Sequence, residues 1–236
     1  MAIRILTDSA ADYTKEEIEK RQIQRVSMAI TFGEETYLDG VDLTKEEFYE
    51  KLINGKDFPK TSQPAPGDFL DCFEAAKESG DSVIVILISG AISGTIQSAH
   101  LAKEMAGYDD IYIVDSQNVT MGIRLLVDQA VLMREKGFSA QEIVGELEKL
   151  KGRIRLFAGL ETLEYLSKGG RISKTAASIG NLANLKPVVQ IDEEGKVDII
   201  GKQIGTRRAY KSVLKCMEEH QPDCDYPVYY IYCYDK

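Results

Sequence analysis

The run Val83-Ile84-Val85-Ile86-Leu87-Ile88 constrains the fold more than any other stretch of this chain. An unbroken apolar segment this short and this rich in β-branched residues suits a strand buried on both faces, as in a parallel sheet. It runs into Ser89-Gly90-Ala91-Ile92-Ser93-Gly94 and then Thr95, beyond which a helical pattern extends from Gln97 to Ala106. A strand, a small-residue loop and a helix start can together receive an anion. Backbone N–H groups point outward at the helix N-terminus, glycine permits close approach, and hydroxyls add donors. The same residues also allow a plainer reading, in which Ser93 or Thr95 caps its helix. The loop lacks the Lys-Ser/Thr that closes a P-loop and does not follow G-x-G-x-x-G, so neither familiar nucleotide site is expected. A small carboxylate or a phosphate remains compatible with it.

Size and charge narrow the classes further. A chain of 236 residues can form one large α/β domain or two smaller ones. Its net charge of -9 argues against a nucleic-acid partner held on a basic face. No apolar run is long enough to span a bilayer, and Met1-Ala2-Ile3-Arg4 opens a strand rather than a signal peptide. Cys72, Cys216, Cys224 and Cys233 form no C-x-x-C pair, and His100 and His220 lie far apart. A zinc site is not expected from that inventory, and reduced thiols fit a cytoplasmic protein.

Strands and helices alternate through the first part of the chain. Ile3–Thr7 reads as a strand ending at Asp8-Ser9, followed by a helix that Thr14 and Glu17 cap reciprocally and that runs to about Arg21. Gln24–Phe32 reads as a second strand, and Thr44 with Glu47 opens another capped helix. Thr61-Ser62-Gln63-Pro64-Ala65-Pro66 is held extended by two prolines before a helix beginning at Pro66; it suits either a hydroxyl-bearing site or a surface turn. Ile111–Ser116 repeats the strand ending in Asp-Ser, and amphipathic helices follow over about 122–136 and 140–150, the second capped by Ser139. This alternation predicts a doubly wound parallel-sheet layer over residues 1–152.

The pattern changes near Lys151-Gly152-Arg153, and residues 153–236 read as a mixed α+β domain. Ile154–Gly159 suggests a strand and Glu161–Leu166 a helix. The pair Gly169-Gly170 ends that helix in a left-handed turn and fixes Arg171 in a short loop. A second helix over Ala176–Leu185, a hairpin turning at Asp192–Val197, a helix from Thr206 to about His220 and a last strand from Val228 to Tyr234 complete the reading.

These separated motifs together resemble the bacterial DegV family of fatty-acid-binding proteins. The matching segments are Asp8-Ser9-x-x-Asp12, Thr61-Ser62-Gln63-Pro64, Ser89 to Ala99, Asp115-Ser116, Leu163-Glu164-Tyr165-Leu166-x-x-Gly169-Gly170-Arg171-Ile172, Lys186-Pro187 and Gly201-Lys202 with Arg207-Arg208. The resemblance implies a two-domain DegV-like α/β fold without chemistry of its own: no catalytic residue, no metal and no cofactor. It implies a long-chain fatty acid in an apolar tunnel of the second domain, with its carboxylate at the domain interface. Thr61 and Ser93 become the carboxylate contacts, Ser62 and Gly94 support them, and Arg171 lies near the head group on a surface offered to a partner. The resemblance also implies a partner, since some members present the bound acid to a fatty acid kinase subunit, which makes an acyl phosphate for phospholipid synthesis. Leu156, Phe157, Leu160, Leu163, Leu166, Ile179, Leu182, Leu185 and Val189 are candidate tunnel lining, although apolar periodicity equally describes a packed core. Asp8, Ser9, Asp115 and Ser116 read as loop-shaping side chains, and Lys202, Arg207 and Arg208 as solvated charges.

One departure stands out. Family members continue past the last strand with a helix and strand bearing a His-x-Gly-Pro-Gly segment, whose histidine also meets the carboxylate. This sequence ends at Tyr234-Asp235-Lys236, so a C-terminal truncation and an incomplete head-group site are expected. The alternative function is an enzyme acting on a small anion, either a hydrolase with Ser93 as nucleophile or a phosphotransfer subunit. Against it, the chain has no G-x-S-x-G elbow, and neither histidine sits in a motif that would supply a base.

Overall fold

The Val83–Ile88 run supplies the centre of a four-stranded parallel sheet. The structure is a computed structural model and describes residues 2–173 and 184–233. The chain divides into two compact units, one comprising Met1–Arg153 with Ile231–Lys236 and the other Ile154–Tyr230.

The first unit carries β1 (Ile3–Asp8), a 3-10 turn (Ser9–Ala11), α1 (Lys15–Arg21), β2 (Ile23–Val26), β3 (Ala29–Phe32), β4 (Glu35–Leu38) and α2 (Lys45–Asn54). It continues with β5 (Lys60–Ser62), α3 (Pro66–Ser79), β6 (Ser82–Leu87), α4 (Thr95–Ala106), β7 (Ile111–Asp115), α5 (Met121–Glu135) and α6 (Ala140–Lys151). Strands β2-β1-β6-β7 form the parallel sheet, with Leu6 beside Val85 and Val85 beside Ile113. Val83 to Leu87 are wholly buried because helices cover both faces. On one face Leu6, Val83, Val85 and Leu87 pack with Phe69 and Phe73 of α3 and Ala99 and Ala102 of α4. The alternate residues Ile84 and Ile86 serve the opposite face, where α5 and α6 bring Ile123, Leu126, Ile143 and Leu147, also wholly buried.

The three capping boxes form as the spacing predicts: Thr14 with Glu17, Thr44 with Glu47, and Ser139 with Glu142. The expected strand over 24–32 is instead two. Met28 N–H donates to Ser9 Oγ at 3.1 Å, and the chain leaves the parallel ladder there. Beyond this break β3 joins a separate antiparallel sheet of order β4-β3-β5. The Thr61 segment is the edge strand β5 of that sheet, with Thr61 opposite Ile30.

The second unit carries β8 (Phe157–Gly159), α7 (Glu164–Lys168), β9 (Leu185–Ile191), β10 (Val197–Ile204) and α8 (Thr206–His220). Its antiparallel sheet has the order β10-β9-β8, and α8 packs on all three strands. The helix expected over 161–166 is confined to Glu164–Lys168, and Leu185 begins a strand rather than ending a helix. The remainder of that expected helix, including Ile179 and Leu182, lies outside the described residues. The expected last strand does not form over Val228–Cys233. This segment joins none of the sheets and leaves Tyr230 and Tyr232 exposed, 76% and 86%. Its β-prone composition stabilises a strand only where a neighbour completes the ladder.

Phe73→Ala removes a wholly buried ring from the α3 face of the sheet. Urea unfolding should show a loss of about 3–5 kcal/mol; a loss below about 1 kcal/mol would contradict the packing described.

Candidate functional site

Three strands of the parallel sheet end in loops that are hydrogen-bonded to one another. Asp8 closes β1, where its Oδ1 accepts from Ala10 N at 3.0 Å and its Oδ2 accepts from Ile88 N at 2.8 Å. The carboxyl is wholly buried. Burial pushes it up to about 7, against the pull of the Ile88 and Ala10 N–H groups, and the nearby charge of Asp39 adds a smaller push. Ser9 accepts from Met28 N and is hydrogen-bonded to Asp39, whose own carboxyl is raised mainly by burial.

The β7 end completes the lattice. Asp115 accepts from Gly90 N at 3.2 Å and from Gln117 N at 2.9 Å. Gly90 is required here, since a Cβ would stand 2.9 Å from Asp115 Oδ2. Ser89 N donates to Asn118 O at 3.0 Å, and Ser116 both donates to and accepts from the Asn118 backbone. Asp8, Ser9, Asp115 and Ser116 therefore shape loops, as their residue types suggest.

On this frame the β6–α4 loop presents Ser93 and Gly94. The N-cap of α4 is Gly94, with no side-chain cap, so neither Ser93 nor Thr95 fills the cap position. Thr95 is the first helical residue and is buried. Its hydroxyl pairs with Ser93 Oγ at 2.8 Å, and its N–H reaches that oxygen at 3.4 Å. A twelve-residue helix thus begins with its positive dipole end at a hydroxyl pair. Thr95 is no general base, so the partner of Ser93 does not activate it as a nucleophile.

Gln63 connects the Thr61-Ser62 segment to this helix start. Its Nε2 donates to Ser98 Oγ at 2.9 Å. Its Oε1 lies so close over Gly94 that a Cβ there would stand 1.8 Å away. The structure thereby brings the β5 segment and the Ser93-Gly94 turn together. Thr61 and Ser62 are exposed, and Ser93 and Gly94 half-buried.

Arg171 belongs to the second unit, in the turn after α7, exposed and donating to Gly169 O. Gly170, at φ +76°, makes the left-handed turn that the paired glycines predict. Lys202, Arg207 and Arg208 are exposed on β10 and the start of α8. His100 is exposed on α4, and His220 pairs its Nδ1 with Cys216 O at 2.8 Å. Among the described residues no group of three or more His, Cys, Asp or Glu could hold a metal ion, and no helix is long and apolar enough to cross a membrane. Residue spacing singled out the hydroxyls but missed the bridging role of Gln63. The available signal was its place before Pro64, which restricts its backbone to extended conformations.

Comparison with known proteins places this arrangement in a family. A family model described as "Uncharacterised protein, DegV family" matches residues 2–235, and the chain belongs to the DegV family. A DegV domain-containing protein of Caldanaerobacter subterraneus is 37% identical over 216 residues, covering 92% of this chain and 76% of the relative. A solved DegV family protein from Thermus thermophilus, described for its fatty acid binding, superposes with a TM-score of 0.84 at 34% identity, covering 93% of this chain and 78% of that one. A stearic acid-binding protein from Eubacterium ventriosum gives a TM-score of 0.85 at 33% identity, covering 93% and 76%. The chain thus shares the DegV α/β fold and spans about three quarters of these relatives' length.

The Asp8 carboxyl makes a pH prediction. In the folded chain it holds its proton up to about pH 7, whereas an unfolded aspartate releases it near 3.8. Between those values the folded state binds more protons, so this group's contribution to stability falls as pH rises and levels off above 7. The difference in unfolding free energy between the unaltered chain and Asp8→Asn, measured in urea from pH 4.5 to 8, should fall with rising pH. A difference that is flat or rises across that range contradicts the assignment.

Proposed function

We propose that the protein binds a long-chain fatty acid, with the hydroxyls of Thr61 and Ser93 on the carboxylate and Ser62 and Gly94 supporting them. The observation that carries this reading is the approach of the Thr61-Ser62 segment to the uncapped start of α4 through Gln63. The fatty-acid-binding descriptions of the Thermus thermophilus and Eubacterium ventriosum relatives support it.

The energetics suit that ligand. Taking a carboxylate out of water costs several kcal/mol unless donors meet it, and two hydroxyls with loop N–H groups can supply three or four hydrogen bonds. The acyl chain then carries most of the affinity, at roughly 0.8 kcal/mol per methylene. The second unit offers half-buried Leu156, Phe157, Leu160 and Leu166 beside the more deeply buried Leu163 and Val189 for that chain. The bound acid is presented in the cytoplasm to a fatty acid kinase, which forms the acyl phosphate, and Arg171 belongs to the surface offered to that partner. No step of this role asks the chain itself for catalysis.

Lipid extraction and native mass spectrometry of the bacterially expressed protein should recover a C16–C18 acid. In a fluorescent fatty-acid displacement assay, Thr61→Ala and Ser93→Ala should each weaken binding about 10–100-fold, the worth of one hydrogen bond to a charged group. Repeated recovery without lipid, together with undiminished affinity in both variants, contradicts the reading.

A further inference from the structure

The amide of Gln63 spans two segments that are remote in sequence and carry the hydroxyls of the proposed site. Its backbone directly follows Ser62, the last residue of the edge strand β5, and Pro64 restricts it to an extended conformation. Its side chain crosses to α4, where Nε2 donates to Ser98 Oγ at 2.9 Å. Ser98 is 3% exposed, in the first turn of that helix, and its backbone N–H closes on Gly94 O at 3.2 Å. The amide therefore reaches a fixed point of the helix rather than a mobile surface group. The carbonyl end lies flat against Gly94, where a Cβ would fall 1.8 Å from Oε1, 2.6 Å from Cδ and 3.0 Å from Nε2. Any side chain at position 94 would displace the glutamine. Gly94 sits at φ -80°, a conformation open to every residue, so space under Gln63 and not backbone strain calls for glycine there.

We infer that Gln63 is the positioning residue of the carboxylate site: its amide sets the spacing between Thr61-Ser62 on β5 and Ser93-Gly94 at the start of α4. This role presupposes the fatty-acid reading above and extends it to a residue that need not touch the ligand. Without the amide, β5 keeps its three-residue ladder to β3 but loses its side-chain contact with α4, and the two donor sets lose their common register. A carboxylate met by donors in register gains from each of them, whereas the acyl chain is indifferent to their spacing.

The test separates positioning from mere stabilisation by comparing palmitate with hexadecanol, which has the same chain and no carboxylate. Gln63→Ala should bind palmitate about tenfold more weakly and hexadecanol unchanged, the loss of roughly one charge-assisted hydrogen bond. The carboxyl resonance of bound 1-13C-palmitate should shift relative to the unaltered protein. Ser98→Ala and Gly94→Ala, which remove the anchor and the space under the amide, should reproduce the loss. Gln63→Ala combined with Ser98→Ala should cost no more than either change alone, because both break one contact. Unchanged palmitate affinity with an unmoved carboxyl resonance overturns the positioning role, as does equal loss of palmitate and hexadecanol. If the unaltered protein binds neither lipid, the fatty-acid reading itself fails and the positioning role falls with it.

Discussion

A buried carboxyl group accepting two backbone N–H groups holds together the loops at the carboxyl end of the parallel sheet. A parallel sheet leaves polar groups without ladder partners wherever its strands run out into loops, and each such group is costly if buried unpaired. Asp8 meets Ala10 N and Ile88 N in one stroke, tying the end of β1 to the residue that follows β6. Asp115 does the same between β7 and Gly90, and the Ser116 hydroxyl pairs with the backbone N–H and C=O of Asn118. The burial that makes Asp8 effective also raises its pKa toward neutrality, so the same residue gives the unit a pH-dependent stability term.

That lattice gives the β6–α4 loop its precision. Ser93 and Gly94 sit on a segment whose start is fixed by Asp8 and Asp115 and whose end is the buried first turn of α4. The Thr61 segment is held differently, on the edge of a small sheet, and the Gln63 amide reaches from it to Ser98 of α4. The proposed site therefore draws on a loop fixed by buried hydrogen bonds and on an edge strand. Between them one glutamine lies over one glycine.

Much of this was legible in the residues, and the exceptions share a cause. Val83–Ile88 announces a doubly buried strand through composition alone. Thr14, Thr44 and Ser139 announce helix starts because a capping box is a local contract between residues three apart. Asp8 and Asp115 read as loop-shaping because short acidic side chains bond nearby backbone, although their reach across to β6 loops is a tertiary fact. The misreadings arise where partners decide. Gln24–Phe32 is uniformly strand-like, and what splits it is Ser9, nineteen residues away from Met28. Val228–Cys233 has the side chains of a strand but pairs with none of the three sheets. Gln63 was visible in its motif, yet its contact with Gly94 depends on how β5 and α4 approach each other, which spacing does not encode.

The central claim is that Thr61 and Ser93 meet one acid group. A crystal structure of the full chain grown with palmitate tests it most directly. The account predicts the palmitate carboxylate within hydrogen-bond distance of Thr61 Oγ1 and Ser93 Oγ, with the Gly94 N–H facing it. A carboxylate seated elsewhere, or Thr61 and Ser93 too far apart to share it, would contradict the account.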